Sequence, residues 1–214
     1  MAFRKVSRIK IPEATIRRLS LYDRCLEDVK KSGKKIVSSS DIARKCGTNP
    51  AQIRKDFAYF GEFGVRGVGY YVENLQEDIK KALGIDRAWN CALVGAGNLG
   101  FALLGTDSLA ARGFEIGAIF EQDPILVEMG SFKDIPLFSM DQMQRVVPEL
   151  GIKIGIIAVN PESAFKVAHQ LIDAGVKGIL NFTPATLRVP PGTILKNVDF
   201  AIDLEGLAFQ LANE

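Results

Sequence analysis

Three glycines, Gly95, Gly97 and Gly100, follow the apolar run Cys91-Ala-Leu-Val94, and this spacing has a specific physical use. It holds a phosphate. Gly95 lets the chain turn sharply off a strand, Gly97 has no Cβ to keep a pyrophosphate from the backbone, and Gly100 lets the helix opened by Asn98 and Leu99 pack tightly on that strand. Unpaired N–H groups and the positive end of a helix dipole then face the anion. A second apolar run, residues 116–120, ends in Glu121, 21 residues past Gly100. That is close to the separation of about 20 at which a carboxylate accepts hydrogen bonds from an adenosine ribose. The glycines alone would equally well tighten a β-α turn. The preceding strand, the following helix and the acid together predict a dinucleotide, NAD(H).

A second chemistry is written earlier in the chain. Ser38-Ser-Ser-Asp-Ile-Ala-Arg-Lys-Cys-Gly47 reads as a short helix capped by Ser40 or Ser39 and stopped by Gly47; Asn49 caps and Pro50 opens the next helix. This is a helix-turn-helix. If its second helix spans residues 51–60, Ile53, Phe57 and Phe60 share the core side, and Ala51, Gln52, Lys55, Ala58 and Tyr59 face outward with Arg54 on the flank. Such a surface fits a major groove. Gln52, Lys55 and Tyr59 are the expected base readers, and Arg54, Arg66 and Lys35 the expected phosphate holders. Residues 61–72 carry four glycines, with Arg66 near the tip and Tyr70 among the DNA-contacting residues; they read as a wing.

The elements that must position these groups fall into two halves. A helix over residues 12–32, starting at Pro12 and ending at Gly33, precedes the helix-turn-helix, and another over 73–83 follows the wing. Residues 85–89 are short enough for a hinge. Beyond them strand and helix alternate: strand 91–94, helix 98–111, strand 115–121, a short strand near 135–138, helix 141–150, strand 154–159, helix 162–174, and strands 178–182 and 198–202. That predicts an α/β doubly wound parallel sheet of Rossmann type. The expected domains are a winged helix over 1–84, a nucleotide-binding domain over 85–202 and an apolar terminal helix over 203–214. Loops at Val159-Asn160-Pro161 and at 181–184, with Thr183 and Pro184, leave the carboxyl ends of strands and could wall a nicotinamide pocket.

Composition sets bounds on function. The chain has 214 residues, 47% of them hydrophobic, enough for two real cores. Residues 1–84 hold 18 Lys and Arg against 10 Asp and Glu, whereas residues 85–214 hold 9 against 15. A basic front on an acidic back suggests a polyanion-binding module joined to one that need not touch a polyanion. No apolar run approaches the roughly 18 residues of a membrane span. Three widely separated cysteines suggest buried thiols in a reducing cytoplasm and no metal site. An NAD-dependent oxidoreductase would need a proton-transfer group, and the single histidine, His169, lies in mid-helix.

Three signatures stand in one order: Ile11-Pro-Glu-Ala-Thr-Ile-Arg-Arg-Leu19, the stretch from Gln52 to Tyr70, and the glycine loop followed by Gly178-Ile-Leu-Asn-Phe-Thr-Pro184. Together they resemble the Rex family of redox-sensing transcriptional repressors, nearly end to end. The resemblance implies a homodimer that binds a double-stranded palindromic operator when NAD+ prevails and releases it when NADH binds, with terminal helices exchanged between subunits. It also implies that Phe200 approaches the partner's nicotinamide and that Arg18 pairs with Asp199 across the dimer in the DNA-binding state. The chain departs from the usual pattern at Glu121 (usually Asp), Thr106 (usually Tyr), Val159-Asn160-Pro161 (usually Thr-Val-Pro) and Ala58 (usually Ser). A repressor paralogue with a weak NADH response is the alternative these departures allow.

Overall fold

The computed structural model describes residues 11–61, 63–105 and 108–213, and the chain divides into two compact units, Met1–Arg87 and Ala88–Glu214. The first is built on α1 (Glu13–Lys31), whose Leu19, Tyr22, Leu26 and Val29 recur at helical spacing and are buried. They meet Ile42 and Ala43 of α2 (Ser39–Cys46), Ile53 and Phe57 of α3 (Pro50–Ala58), and Leu75 and Ile79 of α4 (Val72–Leu83) in one core. Two short strands, β1 (Ile36–Val37) and β2 (Tyr70–Tyr71), pair antiparallel at the base of the wing.

The second unit is a seven-stranded sheet of β3 (Trp89–Val94), β4 (Phe114–Glu121), β5 (Ser131–Phe132), β6 (Ile135–Ser139), β7 (Ile154–Ile157), β8 (Gly178–Asn181) and β9 (Ile194–Asn197), in the order β5-β6-β4-β3-β7-β8-β9. Every pairing is parallel except β5 with β6. Strands buried on both faces must be apolar throughout, and Cys91–Val94 are at most 1% exposed. One face packs on α7 (Met143–Glu149) and α8 (Pro161–Asp173) through Met143, Val146, Val167 and Leu171. The other packs on α5 (Asn98–Leu104) through Leu104 and Phe101. The remaining helices are the short α6 (Pro124–Glu128) and the terminal α9 (Phe200–Ala212).

Several sequence-based boundaries move, each for a local reason. Ser38 caps α2 in place of Ser39 or Ser40, because its hydroxyl accepts the Asp41 N–H while the Asp41 carboxylate accepts the Ser38 N–H. Helix α5 ends at Leu104, and a short 3-10 turn occupies Ala110–Arg112. The last strand lies at Ile194–Asn197, before the expected 198–202, because Asp199 accepts the Ala201 N–H at 2.9 Å and turns the following residues into α9. Helix α6 and the two-residue β5 were not foreseen. Cys25 and Cys46 are half-buried rather than buried, Cys91 is buried, and all three are free thiols.

Candidate functional site

In the first unit, two caps set the entry of α3. Gly47 takes a left-handed conformation at φ 64°, which a side chain would disfavour, and the Asn49 side chain accepts the Gln52 N–H at 2.8 Å. Arg54, Lys55 and Ala58 face solvent, with Gln52 and Tyr59 half-buried. Arg54 donates to the Ser39 hydroxyl at 2.9 Å, tying the flank of α3 to α2. The wing closes through Val65 and Gly69, whose backbones exchange hydrogen bonds of 2.8 and 3.0 Å around an exposed Arg66. A Cβ on Gly69 would stand 2.6 Å from the Val37 carbonyl oxygen, so the strand pair leaves room only for glycine there. The Tyr70 ring packs edge-on against Phe57 at 5.3 Å, and burial raises its hydroxyl's pKa. Ser39, Arg54, Ala58, Arg66 and Tyr70 border one cleft between α3 and the wing. Lys35 is exposed beside Lys30 and Lys34, which pair with Glu73 and Asp41 at 3.1 Å each.

Sequence reasoning missed the residue at the centre of this unit. Asp56 is fully buried and accepts from Arg18 Nε at 2.6 Å and Nη2 at 2.7 Å, from the Tyr22 hydroxyl at 2.8 Å, from Gln52 Nε2 at 2.9 Å and from the Thr15 hydroxyl at 3.3 Å. Burial alone would raise its pKa; the hydrogen bonds from Arg18, Tyr22 and Gln52, with the Arg18 charge, bring it below the ordinary carboxylate value. The signal was phase: position 56 falls between Ile53 and Phe57 on the core side of α3. Gln52, expected to point outward, instead directs its amide forward along the helix to Asp56. Arg18 is held within its own chain by this carboxylate, whereas its expected partner Asp199 caps α9.

In the second unit the glycine loop leaves β3 where the strand order reverses, β4 lying on one side of β3 and β7 on the other. Gly95 adopts φ 99° and its Cβ would stand 2.5 Å from the Ala158 carbonyl oxygen; a Cβ on Gly100 would collide with the Gly95 carbonyl oxygen. Around Gly97 there is open space. The loop, Glu121, Val159 and Asn160 border one cleft of about 250 Å³, with Asp123, Leu126, Met140 and Ser163. Glu121 closes β4 with one oxygen accepting the Ala96 N–H at 2.6 Å and the other accepting the Gln122 and Asp123 N–H groups at 2.7 and 3.1 Å. It therefore braces the loop that would hold the phosphates. Asn160 and Pro161 begin α8, with Asn98 and Leu99 opening α5.

The other expected pocket residues lie apart from this cleft. Thr183 is buried, and its hydroxyl donates to Asn181 Oδ1 at 2.8 Å, so it shapes its own loop. Asn181 ties that loop together, donating to the Thr183 and Ala185 carbonyls and to the Asn197 side chain. Pro184 follows in the same turn. Phe200 is 59% exposed, with its ring 6.4 Å from that of Phe182. Thr106 lies outside the described residues. His169 is exposed, its ring 4.5 Å from that of Phe165 and tilted by 58° to it. Among the described residues, no group of three or more His, Cys, Asp or Glu could hold a metal, and no helix is long and apolar enough to cross a membrane.

Known proteins carry the same arrangement. Residues 10–58 match a family described as putative DNA-binding protein N-terminus, and residues 86–185 match the CoA binding domain family. The redox-sensing transcriptional repressor Rex of Maridesulfovibrio salexigens is 48% identical over 95% of this chain and 97% of its own. That of Carboxydothermus hydrogenoformans is 47% identical over 96% and 98%. Among solved structures, the Rex-family repressor RSP in complex with β-NAD+ and operator DNA superposes with a TM-score of 0.90 at 35% identity, over 96% of this chain and 94% of that one. RSP in complex with β-NADH gives 0.85 at 33%, over 96% of each. With identity near one half over almost the whole length, a helix-turn-helix ahead of a glycine-loop sheet, and relatives that are repressors rather than oxidoreductases, the chain belongs to the Rex family of redox-sensing transcriptional repressors.

Proposed function

We propose that this chain represses transcription by binding operator DNA through its first unit and senses the NADH/NAD+ ratio through its second. The observation that carries the proposal is the presence, in one chain, of a capped recognition helix followed by a wing with an exposed Arg66, and of a glycine loop without a side-chain cap facing a cleft beside a strand-end carboxylate. Lys55 and Tyr59 then meet the major groove with Gln52, while Arg54, Arg66 and Lys35 hold phosphates and Tyr70 steadies the wing. Gly95, Gly97 and Gly100, with the start of α5, take the pyrophosphate of NAD(H). Glu121 favours a free ribose over a 2′-phosphate. Val159, Asn160 and Pro161 stand toward the nicotinamide end, with Thr183 and Pro184 supporting the neighbouring loop.

The working form in this reading is a homodimer in the cytoplasm. Helix α9 buries none of its residues: Phe200, Ile202, Leu204, Leu207, Phe209 and Leu211 are 56 to 71% exposed. An isolated helix of 13 residues is marginal in water, and an apolar one needs a surface to cover it. The sheet offers one, an apolar hollow bordered by the half-buried Trp89, Phe114, Ile154 and Leu180 and the exposed Ile194. In the dimer, Phe200 would reach the partner's nicotinamide, and Arg18, while keeping its intrachain carboxylate, would also pair with Asp199 of the partner subunit. Operator binding titrated in parallel with NAD+ and NADH tests the proposal. Binding retained with NAD+ and lost with NADH is the expected result; equal curves would reduce the nucleotide domain to an assembly module.

A further inference from the structure

Asp56 is the only acidic residue of α3, yet no water reaches it. Its two oxygens together accept five hydrogen bonds, more than the roughly four lone-pair sites a carboxylate offers. Four of the donors, Thr15, both Arg18 nitrogens and Tyr22, come from α1 and are charge-bearing or hydroxyl groups with no alternative sense. The fifth is the amide of Gln52, one turn earlier on the same face of α3, and an amide has two senses. Turned over, it would place its Oε1 against Asp56 Oδ1, two acceptors facing each other beside a full negative charge. Only the sense with Nε2 toward Asp56 is favourable.

We infer that Asp56 is a positioning residue for DNA reading: it fixes the sense of the Gln52 amide, so that Gln52 meets the groove with one N–H and its carbonyl oxygen in a set order. Side by side, a donor and an acceptor match the N7 acceptor and N6 donor on the major-groove edge of adenine. Residue 52 lies in the first turn of α3, the part of a recognition helix that contacts base edges. An amide free to turn over would present either order, whereas this one is committed before DNA arrives. The inference rests on the proposal that Gln52 reads a base, and adds to it the base and the group that selects it.

The test uses the full chain with NAD+ and the operator recovered by selection from random duplexes. Each half-site adenine is replaced symmetrically, and affinities are compared for wild type, Gln52→Ala and Asp56→Asn, with folding checked by circular dichroism. An asparagine at 56 offers an oxygen or an N–H to Gln52 and so accepts either sense. Wild type should lose about tenfold or more in affinity at one adenine per half-site, and both variants should lose only about twofold there. The salt dependence should stay unchanged, because no phosphate contact is removed. If Gln52→Ala keeps every adenine penalty, Gln52 reads no base, and both the reading and this inference fall. If Gln52→Ala abolishes the penalty while folded Asp56→Asn keeps it, the inference alone falls. Should Asp56→Asn not fold, 15N relaxation of the Gln52 side-chain amide in wild type decides. An order parameter near about 0.85 supports a fixed amide, and one below about 0.6 overturns it.

Discussion

Replacing Gly97 with alanine separates nucleotide binding from folding more cleanly than any other change in the glycine loop. Gly97 has φ −76° and ψ −171°, extended backbone that any residue adopts, and a Cβ built there meets nothing within 4 Å. Alanine therefore adds no strain, and by restricting the unfolded chain it should raise stability by about 0.4–1 kcal/mol. The open space is where the pyrophosphate must come closest to the backbone, so the same methyl group holds the ligand off. Losing one charge-assisted hydrogen bond costs about 1.5–3 kcal/mol, which is roughly 10- to 150-fold in Kd. Gly100→Ala provides the contrast: its Cβ collides with the Gly95 carbonyl oxygen, so it should lower Tm as well as affinity, overpacking costing about 1–3 kcal/mol. Thermal unfolding and a calorimetric NADH titration of both variants measure the two effects. A Gly97→Ala protein that folds and binds NADH as tightly as wild type would refute the assignment of the loop.

Three further outcomes follow from the same geometry. Lys55→Ala and Arg66→Ala should each weaken operator binding and reduce the slope of log K against log salt by about one, and an affinity insensitive to salt would remove both side chains from the interface. NADPH should bind at least about 100-fold more weakly than NADH, since a 2′-phosphate beside the Glu121 carboxylate costs several kcal/mol; equal affinities by calorimetry would end that role for Glu121. The pKa of Asp56 is lowered in the folded state, so its network stabilises the first unit above the unfolded value of about 3.9 and the contribution fades as pH falls through the lowered value. Asp56→Asn should flatten the acid limb of thermal stability below about pH 4, and an unchanged limb would show that the carboxylate titrates as it does in the unfolded chain.

What was legible in the sequence was what periodicity and caps encode. The apolar repeat of α1, the Asn49-Pro50 start of α3 and the glycine loop after β3 each follow from a local rule, and the structure places all three where those rules put them. The last strand was misread because residues 198–202 mix apolar residues with an aspartate that serves equally as a helix cap. Only pairing with β8 tells the two apart. Asp56 was invisible for the opposite reason. A charged residue on a helix reads as exposed, and its burial depends on Arg18 and Tyr22, more than 30 residues away. The same separation misled the reading of Gln52, whose outward position is correct for the helix but whose amide follows the buried charge. Glu121 stands where its spacing puts it, at the end of β4 beside the glycine loop, but its grip on the Ala96 N–H was not legible, because a contact between loop and strand end is set by the sheet.

The sheet ends abruptly on both sides. At one edge β5 offers two residues and at the other β9 offers four, preceded by Pro190 and Pro191 and carrying Lys196. A strand arriving from another molecule would find few rungs to climb, and short edges bearing lysine are how natural sheets discourage such growth. Much of the exposed apolar surface lies elsewhere, on α9 and on the hollow face of the sheet. A self-complementary contact between two faces closes after two copies, whereas strand pairing repeated at both edges of a sheet can continue without limit. The chain thus leaves open the kind of stickiness that stops at a small count and shuts off the kind that ends in fibres, even though nearly half of its residues are hydrophobic.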